Sequence, residues 1–184
     1  VIRDEALKMS QHLDGLEAEY GQELKRHLPV EQILGSDLLG AVERTLKDTR
    51  GRDIAVTAPV EPVWLKVDSY AIIQCLIFLI DQLGEWCRAD DLTLTLETKR
   101  ALASFELRWS GAPLHMEALH RWGMRNVSVD SRNASKSLFE VVEQHGGAVW
   151  PDPAGLNGRP CLRVILPVSE LDAGSMEARS DDDF

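Results

Sequence analysis

Cysteine is scarce in this 184-residue chain, and what there is carries no pattern: Cys75, Cys87 and Cys161, with no C-x-x-C pair. An odd, scattered set argues against a disulfide framework and against a zinc site, and it suits a reducing, cytoplasmic setting. Basic residues are also short. Lys and Arg number 20 against 30 Asp and Glu, a formal net charge of −10. Such a chain is a poor clamp for a DNA backbone and a poor ligand for an anionic membrane. Neither direct nucleic-acid binding nor direct membrane contact is expected of it. A long apolar run is missing too. The most apolar stretch, Ala71 to Ile80, is broken by Gln74 and is too short to span a bilayer. No internal repeat is evident.

What is present begins with an uneven charge. Ser169 to Phe184 holds Glu170, Asp172, Glu177, Asp181, Asp182 and Asp183 against Arg179 alone, which is half of the net charge. Rich in Ser, Gly and Asp, this stretch reads as an acidic disordered linker or tail. The chain opens on Val1 and closes on that tail, so it reads as part of something longer. The body between is only mildly acidic, and 44% hydrophobic residues suffice for one globular core.

Residues 2–28 read as one long helix. Ala6, Met9, Leu13, Leu16 and Tyr20 recur at spacings of three and four, a heptad seam that must pack on something. Pro29 ends it. Three segments follow from this: residues 1–29 as a dimerisation-type helix, 30–168 as the folded domain, and 169–184 as the tail. Within the domain, Asp37 is expected to cap a helix over about 38–49. Short strands are expected over 53–58 and 63–67. Asp68 is placed to cap a helix over 69–88 whose apolar residues run nearly all round, the mark of a helix in the middle of a domain.

Alternation then takes over. Leu92, Leu94 and Leu96 interleave with Thr93, Thr95 and Glu97. Phe105, Leu107 and Trp109 interleave with Glu106 and Arg108. Two strands in a hairpin are expected, turning around 99–103. A short helix over 116–122, an irregular polar loop over 123–133, a helix over 134–145 stopped by Gly146-Gly147, and strands over 148–150 and 161–166 complete the order. Strand pairs with helices between them predict a two-layer α/β sandwich: a mixed, mostly antiparallel sheet with helices on one face, preceded by the long N-terminal helix.

The string Asp68-Ser-Tyr-Ala-Ile-Ile-Gln74-Cys-Leu-Ile-Phe78-Leu-Ile-Asp-Gln82 resembles the N-box helix of histidine-kinase ATPase domains. Leu138 to Gly147 with its His145-Gly-Gly step, Gly158 and the Leu166-Pro167 ending resemble that family's closing helix and last strand. The resemblance implies a Bergerat-like sandwich over roughly residues 5–168, with the heptad helix standing in for part of a dimerisation hairpin. It also implies where chemistry would sit. The family's Mg²⁺-holding Asn falls on Gln82, a second N-box Asn falls on Phe78, and the usual basic residue falls on Glu85. The adenine-binding Asp falls on Trp109, which has only an indole N–H donor. Of the loop glycines, Gly111 remains. The phosphate-turn glycines fall on Arg132-Asn133-Ala134.

The expectation is a fold kept and a nucleotide chemistry lost, with no catalytic residue, no metal and no cofactor. The alternative is a nucleotide-binding sensor, or an ATP-binding domain with ATP and Mg²⁺ in an altered pocket formed by Gln82, Trp109, Gly111 and Arg132. Trp109 either stacks on a purine or fills the space of the base, and the second is expected. Gln82, Asp81 and Glu85 either hold Mg²⁺ or form the outer stripe of a core helix. His145 is expected as a cation at a helix C-terminus, and the cysteines as packed thiols. Val67 to Ala71, Leu107 to Leu114 and His145 to Trp150 further resemble the kinase-like middle region of bacterial membrane-anchored proteins that end in a DnaQ-type 3′–5′ exonuclease domain. That resemblance implies a homodimer through the N-terminal helix and a downstream exonuclease in the same parent chain.

Overall fold

In the computed structural model, the structure describes residues 30–87, 91–128 and 135–170. The long-helix expectation over 2–28, with its seam of Ala6, Met9, Leu13, Leu16 and Tyr20, lies outside the described residues. So do Arg132 and the tail from residue 171.

Alternating sequence makes the sheet. β4 (Thr93–Lys99) and β5 (Leu102–Arg108) form the expected hairpin, turning through Arg100, whose φ of 58° lies in the left-handed region, and Ala101. β9 (Cys161–Pro167) pairs antiparallel with β5, and β8 (Ala148–Asp152) pairs antiparallel with β9. β2 (Ala55–Thr57) adds to β4 in parallel, giving five strands in the order β2-β4-β5-β9-β8. Pro151 is tolerated because β8 is an edge strand. One face of this sheet is apolar. Leu94, Leu96, Ala103, Phe105, Leu107, Leu162, Val164 and Leu166 are all buried.

Two long helices cover that face. α1 (Gly35–Arg50) buries Leu38, Leu39, Val42 and Leu46. α2 (Ser69–Cys87) buries Ile72, Cys75, Leu76, Leu79, Ile80 and Leu83, and all of these join the sheet residues in one core. Asp68 caps α2 as expected, its carboxylate accepting the Ala71 N–H at 3.1 Å. The fold is the two-layer sandwich with a mixed sheet.

Several boundaries move. α1 starts at Gly35, before the expected Asp37 cap, and its cap residue Leu34 offers no side-chain bond. Instead the Gly35 N–H donates to the Val63 carbonyl at 2.8 Å, and Asp37 lies in the first turn where its charge suits the helix dipole. A Cβ at Gly35 would come within 2.3 Å of Leu96, so glycine is what lets the helix begin against the sheet. A strand unforeseen in the sequence, β1 (Glu31–Leu34), pairs antiparallel with β3 (Trp64–Val67). Ser169, assigned to the tail, donates its N–H to the Trp64 carbonyl at 2.8 Å.

The largest shift is near residue 134. α3 (Met116–Gly123) is followed by β6 (Asn126–Ser128), which pairs with β7 (Ser135–Ser137), so part of the expected loop is a strand. α4 (Leu138–Gln144) starts four residues later than expected. A capping box decides it. Ser137 Oγ accepts the Glu140 N–H at 3.2 Å, and Glu140 accepts the Ser137 N–H at 2.7 Å. The Ser-x-x-Glu signal was there in the sequence.

The hydrogen bonds from Ser137 hold the Glu140 carboxyl below its ordinary value of 4.5. A carboxyl with a lowered folded pKa adds stability above its unfolded pKa and gives it up as pH falls through the folded one. Ser137→Ala is expected to cost about 1 kcal/mol at neutral pH. In thermal melts at neutral pH and below pH 4.5, Glu140→Gln should start lower than the parent and lose less on acidification.

Candidate functional site

The resemblance places the site at two stretches, the end of β5 and the last turns of α2. At the end of β5 the inward alternation continues past the strand, so Trp109 follows Phe105 and Leu107 into the core, at 0% exposed. Its indole N–H donates to the Ala112 carbonyl at 2.9 Å, and its backbone N–H reaches the Pro160 carbonyl at 3.4 Å. The polar tip of the side chain is thus satisfied by its own loop. Gly111 supplies the turn with a φ of 135° and is exposed. Asp91 ties the loop down. Its carboxylate accepts from the Ser110 N–H at 3.1 Å and the Ser110 hydroxyl at 2.5 Å, and pairs with Arg159 at 2.7 Å. The Ser110 bonds, side chain first, hold the Asp91 carboxyl below the usual carboxylate range.

The end of α2 is also internally occupied. Asp81 pairs with Arg50 at 3.2 Å. The Gln82 side-chain oxygen accepts from an Arg125 Nη at 2.8 Å. Phe78 is half-buried against the core, and Glu85 is exposed. Trp86 meets Trp122 of α3 edge to face, ring centroids 5.9 Å apart. Trp109 and Gly111 therefore share one closed turn, while Gln82 is bonded to Arg125 and to neither of them.

The Mg²⁺ that the resemblance attaches to Gln82 does not fit these residues. The carbonyl oxygen that would face the ion already accepts from a guanidinium, which carries the same sign of charge as the metal. The adjacent acid, Asp81, is taken by Arg50. Among the described residues no three His, Cys, Asp or Glu side chains converge as a metal site.

His145 departs from its expected role. Its ring is engaged on both nitrogens and does not stand free at the end of α4. Nε2 accepts the Asp68 N–H at 3.0 Å, so the proton sits on Nδ1, which donates to the Val141 carbonyl at 2.7 Å. The ring thus joins the end of α4 to the start of α2. Cys75 and Cys161 are buried thiols, and burial pushes the first up to about 12 and the second up to about 11. Neither is a nucleophile at neutral pH. The side chain of Cys87 lies outside the described residues.

One cluster has no counterpart in the sequence reading. Glu106 points to the sheet face opposite the helices yet is only 4% exposed. It accepts from Arg163 Nε at 2.9 Å and is also paired with Arg108. Arg163 in turn reaches Asp152 at 3.0 Å. Cross-strand register explains it, since Glu106 lies directly opposite Arg163. The only cue was an acid alternating with apolar residues, and such a residue is ordinarily solvated.

No family model matches this chain, and no curated protein matches it either. Solved structures do. The ATP-binding domain of PrrB from Mycobacterium tuberculosis superposes with a TM-score of 0.58 at 15% identity, over 76% of this chain and 98% of that one. The histidine kinase domain of the E. coli osmosensor EnvZ gives 0.56 at 18% identity, over 78% and 91%. The histidine kinase ThkA, in complex with the response regulator protein TrrA, gives 0.58 at 17% identity, over 87% of this chain and 49% of that one. At these identities the likeness is one of fold. The chain has the fold of histidine-kinase catalytic domains. Among the described residues no helix is long and apolar enough to cross a membrane.

Removing the charge of Glu106 leaves two part-buried arginines facing a neutral amide. Glu106→Gln is expected to cost about 2 kcal/mol, read as a lower denaturation midpoint with an unchanged slope.

Proposed function

We propose that this chain is a non-catalytic, histidine-kinase-like domain that passes a conformational signal within a larger protein. The observation that carries the reading is Trp109. It stands where the resemblance puts the adenine-binding carboxylate, it is 0% exposed, and it spends its one donor on Ala112. A buried aromatic there supports a sandwich stabilised by its own side chain in place of a base. The Arg125–Gln82 bond supports the same reading at the phosphate end. Phosphoryl transfer depends on positioned metal and phosphate, and neither position is favoured by these residues.

The relay half of the proposal rests on the sequence. The seam Ala6, Met9, Leu13, Leu16 and Tyr20 pairs two copies, and helix movement against the domain shifts the acidic tail and whatever follows it, a 3′–5′ exonuclease by resemblance. That ThkA is found in complex with a response regulator supports protein partners for domains of this fold. Sedimentation of the parent and of a Leu13→Asp, Leu16→Asp variant tests the pairing. A dimer that becomes a monomer is expected, and a monomer throughout removes this half.

Nucleotide titration tests the other half. Ligand at a hundred times its Kd adds about 2.7 kcal/mol of stability, which a melt reveals. Millimolar ATP or ADP, with Mg²⁺, is expected to give no heat and no shift. Saturable binding would instead support the nucleotide sensor. Binding that arises only in Trp109→Ala would identify the indole as what closes the site.

A further inference from the structure

The last turns of α2 are built around positive charge supplied by the chain itself. Gln82 is half-buried, and its oxygen faces the Arg125 guanidinium at 2.8 Å. Arg125 is exposed, but its backbone is held on both sides. Its N–H donates to the Trp122 carbonyl at 2.9 Å, and its own carbonyl accepts the Leu138 N–H at 3.2 Å. The backbone that carries the guanidinium is therefore held by α3 on one side and by the start of α4 on the other. Trp86 against Trp122 fixes the same corner to α2 a turn further on. Glutamine suits this arrangement, because its longer arm carries the oxygen out to a side chain arriving from another element.

We infer that the Arg125 guanidinium is the cation of this site, taking the place of a divalent metal and clamping the α3–β6 corner to α2 without any ligand. The inference rests on the reading that the fold is kept and the nucleotide chemistry lost, and it names what replaced the metal in that site. Two properties follow. Mg²⁺ is disfavoured at this amide oxygen, since a metal ion there would stand beside a like charge. The order of β6 and of the start of α4 depends on two side chains, Gln82 and Arg125, rather than on a bound nucleotide.

Amide hydrogen exchange on the full chain tests both, with the metal as the probe. In the parent, the amides of Arg125, Val127 and Leu138 are expected to exchange at the same rate in millimolar MgCl₂ and in EDTA. Arg125→Ala and Gln82→Ala should each speed them by roughly twofold to tenfold, the worth of one charge-assisted bond near the surface. The double variant should be no faster than either single one, as coupled partners require. Gln82→Glu, which keeps the acceptor, should retain the slow exchange. Slowing by MgCl₂ in the parent would overturn the inference, and so would unchanged exchange in Arg125→Ala. Adding ATP separates this inference from the reading beneath it. ATP that binds in EDTA and is lost in Arg125→Ala supports the guanidinium as the site's cation while overturning the loss of nucleotide binding. ATP that binds only with Mg²⁺ overturns both.

Discussion

A helix with apolar residues on nearly every side has no stable place at a surface, and α2 is such a helix. Ile72, Cys75, Leu76, Leu79, Ile80 and Leu83 are each 0% exposed. At about 1.5 to 3 kcal/mol for each large aliphatic side chain buried, leaving one face of α2 in water would cost more than a domain of this size has to spare. The rest of the molecule encloses it. The apolar side of the sheet lies beneath it, and α1 and α4 add their inward residues to the same core. Its ends are pinned by polar contacts that suit their positions: Asp68 and His145 at the start, Arg50 with Asp81 and Arg125 with Gln82 at the finish.

That enclosure is what gives the chain the fold it shares with histidine-kinase catalytic domains. The sandwich depends on the buried faces of α2 and the sheet. The side chains at the end of β5 and the end of α2 sit at the margin of that core. There they are free to be exchanged, provided each vacated space is filled and each polar group is satisfied. Trp109 meets the first condition by extending the inward row of β5, and the second by bonding Ala112. Gln82 meets the second through Arg125. These bonds stabilise the loops at the margin of the core from within.

The opposite face of the sheet shows the same economy. A two-layer sandwich leaves that face open, and an acid there is ordinarily solvated. Glu106 is instead covered, held between Arg108 and Arg163, with Asp152 extending the chain of charges to the edge strand. Three strands are thereby tied together on the side opposite α1 and α2.

Much of this was legible in the residues. Period-two alternation located β4 and β5. The all-round apolar stretch located α2, and Asp68 marked its start, because these signals are local and repeat over several residues. β1 was not legible, since a four-residue strand is defined by its partner β3 some thirty residues away. Nor was the start of α1, which depends on a bond from Gly35 to Val63. Ser137-x-x-Glu140 was a local signal overlooked in favour of a longer helical period. At the site, sequence determined which residue types were present and therefore which chemistry their groups allowed: an indole donor at Trp109 and an amide at Gln82. Only tertiary structure decided that the indole is enclosed, that the amide faces a guanidinium, that His145 meets Asp68 and that Glu106 is paired. Each of those depends on groups far apart in the chain meeting within hydrogen-bond distance, and spacing along a sequence does not encode that.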